Sequence, residues 1–137
     1  MDFFQLLFGF SGRINRAKYW LAAFIYLVVM LIAVGLALAG GMVMMLFLVV
    51  AVIIYVPVII SGVAVGIKRL HDRDKSGWWL LVFYVLPGVL SGLANQVGLQ
   101  VILSLASFAL SIWGFVELGC LRGTAGPNQY GPDPLQG

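Results

Sequence analysis

The residues with the clearest capacity for chemistry are His71 and Asp72, followed by Asp74 two positions later. An imidazole beside carboxylates can bind a divalent metal or move a proton. Adjacent residues on a helix point in directions that do not converge, so a metal site would need a further ligand. The candidates for that ligand are Asp2, Glu117, Cys120 and Asp133. Because a dipeptide is a weak signal, we favour a structural or lipid-contacting role and predict no metal and no cofactor.

These residues belong to a short segment, 68–79, that holds six of the thirteen acidic and basic residues of the chain and its only histidine. Long apolar runs lie on both sides, which predicts a solvent-facing loop at a membrane surface. If the preceding helix continues into this segment, Lys68 and Arg69 can each pair with Asp72 on one helix face. Trp78 is expected to anchor the loop at the membrane interface, where tryptophan is enriched.

Glu117 is the one acid inside an apolar run. Carboxylates in membranes usually pair with a cation or have a function. We expect Glu117 to pair across the bundle with a basic residue, for which the candidates are Arg16, Lys68 and Arg69. A role in moving protons or substrate, and simple exposure at the interface, are the alternatives.

Composition places the chain in a membrane. Of its 137 residues 62% are hydrophobic and 9% are charged, whereas about a quarter of the residues of a soluble domain are charged. The single cysteine, Cys120, excludes an internal disulfide. The net charge of +3 is too small and too local to indicate nucleic-acid binding.

Apolar runs separated by turns define the elements that carry these residues. Residues 19–67 contain no charge, about twice the length of one crossing, so the run must fold back near Gly40-Gly41. The predicted organisation is one all-α integral membrane domain, a four-helix transmembrane bundle. Its parts are an interfacial segment at 1–18, helices at about 19–39, 42–67, 78–94 and 99–121, and an irregular Gly/Pro tail at 122–137. Pro57 is expected to bend the second helix, and the short third helix could be re-entrant.

The positions of the basic residues predict the orientation. Four crossings would place all eight Lys and Arg on one side and none on the other. The positive-inside rule then puts both termini in the cytoplasm. A cleavable signal peptide ending near Ala37-Leu38-Ala39 is the less favoured alternative, because its apolar core would exceed the usual 7 to 15 residues.

Three stretches resemble the signature segments of the domain-of-unknown-function 805 family, small bacterial inner-membrane proteins. They are FSGRINRAKYW at 10–20, KRLHDRDKSGWW at 68–79 and GPNQYGPDP at 126–134. The resemblance implies a multi-pass protein of the bacterial inner (plasma) membrane and implies no activity. Gln129 stands where that family often has a basic residue.

All three stretches fall on the predicted cytoplasmic side, which leads to a hypothesis of one composite binding site. Its proposed members are Arg13, Arg16, Arg69, His71, Asp72, Trp78, Asn128, Tyr130 and Asp133. We expect a non-enzymatic protein that binds anionic lipid or a protein partner there. A small transporter or channel, with Glu117 as the informative residue, and a membrane enzyme acting on a lipid are the alternatives.

Close helix packing is predicted at two small-xxx-small patterns, Gly62 with Gly66 and Gly88 with Gly92. Packing within one chain is the favoured interpretation, and association of two copies is the alternative.

Overall fold

Apolar runs become helices because in lipid each backbone N–H and C=O must be paired within its own segment. A computed structural model describes residues 1–40 and 44–136 and contains no strand within them. Its elements are α1 (Phe3–Phe8), α2 (Arg16–Ala39), α3 (Met44–Asp72), a first π-helical segment (Leu81–Val85), α4 (Leu86–Ala94), α5 (Gln100–Phe115) and a second π-helical segment (Val116–Cys120). The all-helical prediction is confirmed.

Capping side chains fix where the first two helices begin. Asp2 Oδ1 accepts a hydrogen bond from the Gln5 N–H at 2.7 Å and starts α1. Asn15 Oδ1 accepts from the Lys18 N–H at 3.0 Å and starts α2, a few residues before the predicted start at 19. Both are the usual solution for the unpaired N–H groups of a first helical turn.

Three helices are long and apolar enough to cross a membrane: Arg16–Ala39, Met44–Asp72 and Gln100–Cys120. The predicted third helix at 78–94 is shorter in the structure, where the apolar helical stretch is Leu81–Ala94. Part of the predicted turn at Gly40-Gly41 and the predicted start of the second helix at 42 lie outside the described residues. Pro57 lies inside α3, which continues through it.

The helices pair as two hairpins, α2 with α3 and α4 with α5. Within residues 1–40 and 44–136, α4 approaches α5 and the first π segment closely but neither α2 nor α3. The two hairpins meet at one end of the bundle only. Only 6% of the residues in the most apolar stretches of α2 and α3 are buried within the chain.

The small-residue patterns are used less than predicted. Gly66 faces the Leu80 and Tyr84 side chains so closely that a Cβ would stand 2.8 Å from Leu80 Cδ2. At Gly62, Gly88 and Gly92 a Cβ would meet nothing within 4 Å. The expectation of intrachain packing is therefore wrong for these three glycines, because each faces open space and not a neighbouring helix.

The buried apolar residues form two clusters at the end where the hairpins meet. One joins α1 to α2 and α3, and the other joins α3 to both π segments. The members are Leu6, Leu7, Ile14, Ala22 and Val65 in the first, and Leu70, Leu80, Phe83 and Leu118 in the second. We call this end, where α1, the last turns of α3, the second π segment and the tail 121–136 meet, the polar end.

Candidate functional site

Asp72 lies at the centre of the polar end. Its Oδ1 accepts from Arg13 Nε at 3.1 Å, and its Oδ2 accepts from Arg69 Nη1 at 2.5 Å. All three side chains are at most 4% exposed. The prediction that segment 68–79 is a solvent-facing loop is wrong for residues 68–72, because α3 continues to Asp72 and buries Lys68, Arg69 and Asp72. Residues 73–78 do form a turn, in which Asp74, Ser76 and Trp78 are exposed.

The second π segment ends in a row of backbone carbonyls that side chains of α2 and α3 satisfy. The last carbonyls of a helix have no partner within it. The donors and acceptors are Arg69 Nε to Leu118 O at 2.7 Å, Trp20 Nε1 to Gly119 O at 2.9 Å, Arg16 Nη1 to Cys120 O at 2.9 Å, Arg69 Nη2 to Leu121 O, and Arg73 Nη1 to Arg122 O at 2.5 Å. Cations are also favoured here by the helix dipole. These arginines thus hold α5 against α2 and α3.

Glu117 has partners other than those predicted. Its Oε1 accepts from Arg73 Nε at 2.9 Å, and Lys75 Nζ lies 3.8 Å away. The expected pairing with Arg16, Lys68 or Arg69 is wrong. Arg16 and Arg69 donate to carbonyls of 118–121 instead. Lys75 also lies 4.8 Å from the centre of the Trp79 ring.

Lys68 holds the N-terminal helix. Its Nζ donates to Gln5 O at 2.5 Å and to Leu6 O at 2.6 Å, and these are carbonyls of the last turn of α1. Lys68 is fully buried, and its expected pairing with Asp72 is absent from the ion pairs of the described residues. The N-terminal segment is thus a capped helix packed on α3, with Leu6 and Leu7 buried.

Arg13 fixes the irregular tail. It donates to Thr124 O at 2.6 Å, Gly126 O at 2.7 Å and Gly131 O at 3.2 Å. Gly123 passes so close to Asp72 that a Cβ would stand 2.0 Å from Asp72 Oδ2. Only glycine fits that crossing.

Asp133 closes a turn within the tail. Its carboxylate accepts from the Leu135 N–H and from the Gly126 N–H, each at 2.9 Å. Those two bonds hold the pKa of Asp133 below its ordinary value, and the charges of Arg13 and Arg122 lower it further. Asp133 therefore stays charged and orders the tail over the physiological pH range.

His71 binds the first and the last segments of the chain to α3. Its ring stacks on Tyr130 with centroids 3.9 Å apart, and its Nδ1 lies 3.1 Å from Gly12 O. Since a carbonyl only accepts, Nδ1 carries the proton. Asn128 Nδ2 donates to the His71 carbonyl at 2.8 Å. His71 and Asp72 therefore make separate structural bonds.

The structure brings most of the predicted site residues into one bonded network. Its members are Arg13, Arg69, His71, Asp72, Asn128, Tyr130 and Asp133, and Arg16 contacts it through Cys120 O. Trp78 is 78% exposed and shares only the wall of an apolar groove of about 450 Å³ with His71 and Tyr130. Within residues 1–40 and 44–136, no three His, Cys, Asp or Glu side chains could hold a metal.

Sequence reasoning missed three residues of this end. Arg73 binds Glu117, Gly123 permits the crossing over Asp72, and Thr124 donates to the Asp72 carbonyl from its N–H at 2.8 Å. The sequence around Gly123 and Thr124 gives no signal of this contact, because their partner Asp72 lies about fifty residues earlier in the chain. Every buried side-chain nitrogen and oxygen in the described part of the chain has a partner.

Apolar helices of membrane-spanning length, joined at one end by buried arginines and a docked tail, define a small helical membrane protein with a fixed polar end. The model of a family described as a protein of unknown function, DUF805, matches residues 7–132. The chain belongs to this family, which confirms the resemblance drawn from its three sequence stretches.

Named relatives match over nearly the whole chain. Inner membrane protein YhaI of Escherichia coli (strain K12) is 33% identical, over 94% of this chain and 88% of its own length. Uncharacterized protein YiiR of the same strain is 30% identical over 94% and 88%, and inner membrane protein YhaH is 28% identical over 92% and 87%. No solved structure shows a significant match. Together with the long apolar helices, these relatives support a multi-pass protein of the inner membrane.

Proposed function

We propose that this protein binds anionic lipid headgroups at its polar end, without catalysing a reaction, and that this end faces the cytoplasm with both termini. The observation that supports the proposal is the distribution of its basic groups. All eight Lys and Arg lie in or beside the polar end. The positive-inside rule favours the cytoplasmic side for such an end.

The basic residues divide into two groups by exposure. Arg13, Lys68 and Arg69 are buried and bonded to carbonyls or to Asp72. Arg16 and Arg122 are exposed, and Lys18, Arg73 and Lys75 are partly exposed. The first group has only structural partners, whereas in the second group Arg16 and Arg73 make structural bonds from partly accessible side chains. The second forms what we call the basic rim, which is available to a ligand.

The basic rim lies at headgroup depth. Trp20, at 44% exposed, and Trp78, at 78%, are on the same end, and tryptophan is enriched at membrane–water interfaces. A basic residue near an anionic membrane surface contributes about 1 kcal/mol to binding. Both buried acids, Asp72 and Glu117, have cationic partners, so a structural role accounts for each of them.

The test removes rim charges that make no structural bond. A Lys18→Gln/Arg122→Gln variant is compared with Lys18→Arg/Arg122→Lys, which keeps both charges. Each purified protein is incubated in maltoside detergent with equal amounts of phosphatidylglycerol and phosphatidylethanolamine. Native mass spectrometry then gives the ratio of bound lipids. We expect the preference for phosphatidylglycerol to fall about fivefold per charge removed.

An unchanged lipid ratio in the Gln variant would overturn the lipid-binding proposal. A fall in the charge-retaining variant as well would show that residue shape, and not charge, sets the preference.

Orientation needs its own measurement. A single cysteine at Gln136→Cys, in a Cys120→Ser background, should react with a membrane-impermeant maleimide only after the cells are broken. Labelling in intact cells would place the polar end outside.

A further inference from the structure

A small polar cavity lies between the first turn of α2 and the tail. Its volume is about 160 Å³, room for roughly five water molecules at ~30 Å³ each. A phosphate group has the same number of heavy atoms. Its lining includes Asn15, Arg16, Ala17, Asp72, Arg122 and Asp133.

Two guanidinium groups from distant parts of the chain meet at this cavity. Arg16 is exposed and uses Nη1 for Cys120 O, which leaves its other N–H groups available. Arg122 is exposed, and its side chain makes no hydrogen bond within residues 1–40 and 44–136. A guanidinium presents a planar fork of donors that matches the oxygens of a phosphate.

The acids that line the cavity are already engaged. Asp72 is bonded to Arg13 and Arg69. Asp133 accepts two backbone N–H bonds. Four guanidinium groups therefore face two carboxylates at and directly behind the cavity wall, and the local charge is positive.

The backbone at the start of α2 adds to this positive charge. Asn15 Oδ1 caps the Lys18 N–H, while the N–H groups of Arg16 and Ala17, in the first turn, have no helical acceptor. The positive end of the α2 dipole adds to the attraction of the two arginines for an anion.

We infer that this cavity, which we call the Arg16–Arg122 cavity, binds a single phosphate group, either from a lipid headgroup or as free phosphate. The inference rests on the proposed function, and it assigns headgroup binding to one cavity instead of to the whole basic rim. Lys75 and Arg73, which contact Glu117, do not line this cavity.

The experiment measures how fast phenylglyoxal modifies each arginine of the protein in maltoside detergent, which contains no phosphate. Peptide mass mapping reports Arg16, Arg122 and Arg73 separately. Arg73 is the internal control, because it is 24% exposed in its side chain and paired with Glu117. The additives are inorganic phosphate, phosphatidylglycerol, and oleate, an anionic lipid without phosphate, all at equal ionic strength.

We expect phosphatidylglycerol to slow the modification of Arg16 and Arg122 but not of Arg73, and oleate to slow neither. Equal protection by inorganic phosphate would identify the phosphate group alone as the ligand. Protection by phosphatidylglycerol only would identify the lipid headgroup as its source. Both results support the inference.

A variant pair localises the effect. In Arg122→Gln, the phosphatidylglycerol concentration that half-protects Arg16 should rise about tenfold, as expected for the loss of one charged hydrogen bond. In Lys75→Gln, which removes the same charge outside the cavity, it should not change.

Three results would each overturn phosphate binding in this cavity. They are protection of Arg73 equal to that of Arg16 and Arg122, protection by oleate equal to that by phosphatidylglycerol, and equal effects of Arg122→Gln and Lys75→Gln. The lipid preference of the basic rim could still hold in those cases, so the two proposals fail separately.

Discussion

The polar end and the opposite apolar part of the same helices are built by different means. At the polar end, arginine and lysine side chains reach backbone carbonyls and carboxylates across the bundle. In the apolar part the α2–α3 hairpin does not contact α4, and many large side chains of both hairpins are exposed. The hairpins are thus joined at one end only, by polar bonds and by the two buried apolar clusters there. This suits a membrane, because lipid tails offer no hydrophobic gain for joining helices.

The largest expected effect would break the centre of the polar end. Asp72→Asn leaves the guanidinium groups of Arg13 and Arg69 buried without a counter-charge. Removing one partner from a buried ion pair costs about 3 kcal/mol. We expect that loss in the free energy of unfolding, measured in mixed maltoside and dodecyl sulfate micelles.

Asp74→Asn is the matched control, two residues further on. Asp74 is exposed and has a φ of 57°, a region that asparagine tolerates. Equal losses in the two variants would show that the Asp72 network contributes no particular stability.

The same glycine-to-alanine substitution can be made at the polar end and in the apolar part. Gly123→Ala places a Cβ 2.0 Å from Asp72 Oδ2, so the tail must shift, at about 2 kcal/mol for an overpacked contact. Gly92→Ala, at a helical glycine with nothing within 4 Å, should be neutral or slightly stabilising, since alanine favours helix. Thermal unfolding in detergent measures both. A stable Gly123→Ala protein would contradict the close crossing.

The smallest effect belongs to a hydrogen bond between α2 and α3. Tyr26 Oη lies 2.7 Å from Ser61 Oγ. Hydrogen bonds between membrane helices contribute about 0.6 kcal/mol, so Tyr26→Phe should lower the unfolding free energy by that amount.

Tyr55→Phe, the same change at a tyrosine that is 37% exposed, should have no effect. A loss in Tyr26→Phe as large as that in Asp72→Asn would remove the contrast between the two regions.

Hydropathy and charge predicted the helical class, the main helices and the residues that gather at one end, because these depend on local composition. They also predicted the pair between Arg69 and Asp72, three positions apart on α3, but they did not predict the long-range partners of the other residues. Glu117 was assigned to Arg16, Lys68 or Arg69, yet the second π segment exposes carbonyls that take up Arg16 and Arg69 and leaves Glu117 to Arg73. A π segment has no clear sequence signal, and the unpaired carbonyls at the helix end that it forms decide the pairing.

The prediction of a solvent-facing loop failed for a related reason. Charged residues in a row suggest exposure, because an unpaired charge is expensive to bury. Here Arg69 has Asp72 three positions away but also two carbonyls about fifty positions away, and the partners of Lys68 are carbonyls of α1 about sixty positions earlier. Pairing over such separations cannot be read from a single segment.

The hold of Arg13 on the tail also sets the order in which the protein can be completed. The three carbonyls that Arg13 binds lie 111, 113 and 118 positions further along the chain. A ribosome makes the N-terminal part first, so each apolar helix has been synthesised before Arg13 meets these partners. Closure of the polar end therefore follows synthesis of every apolar helix, and a chain stopped before residue 124 would leave the Arg13 guanidinium without its carbonyl partners.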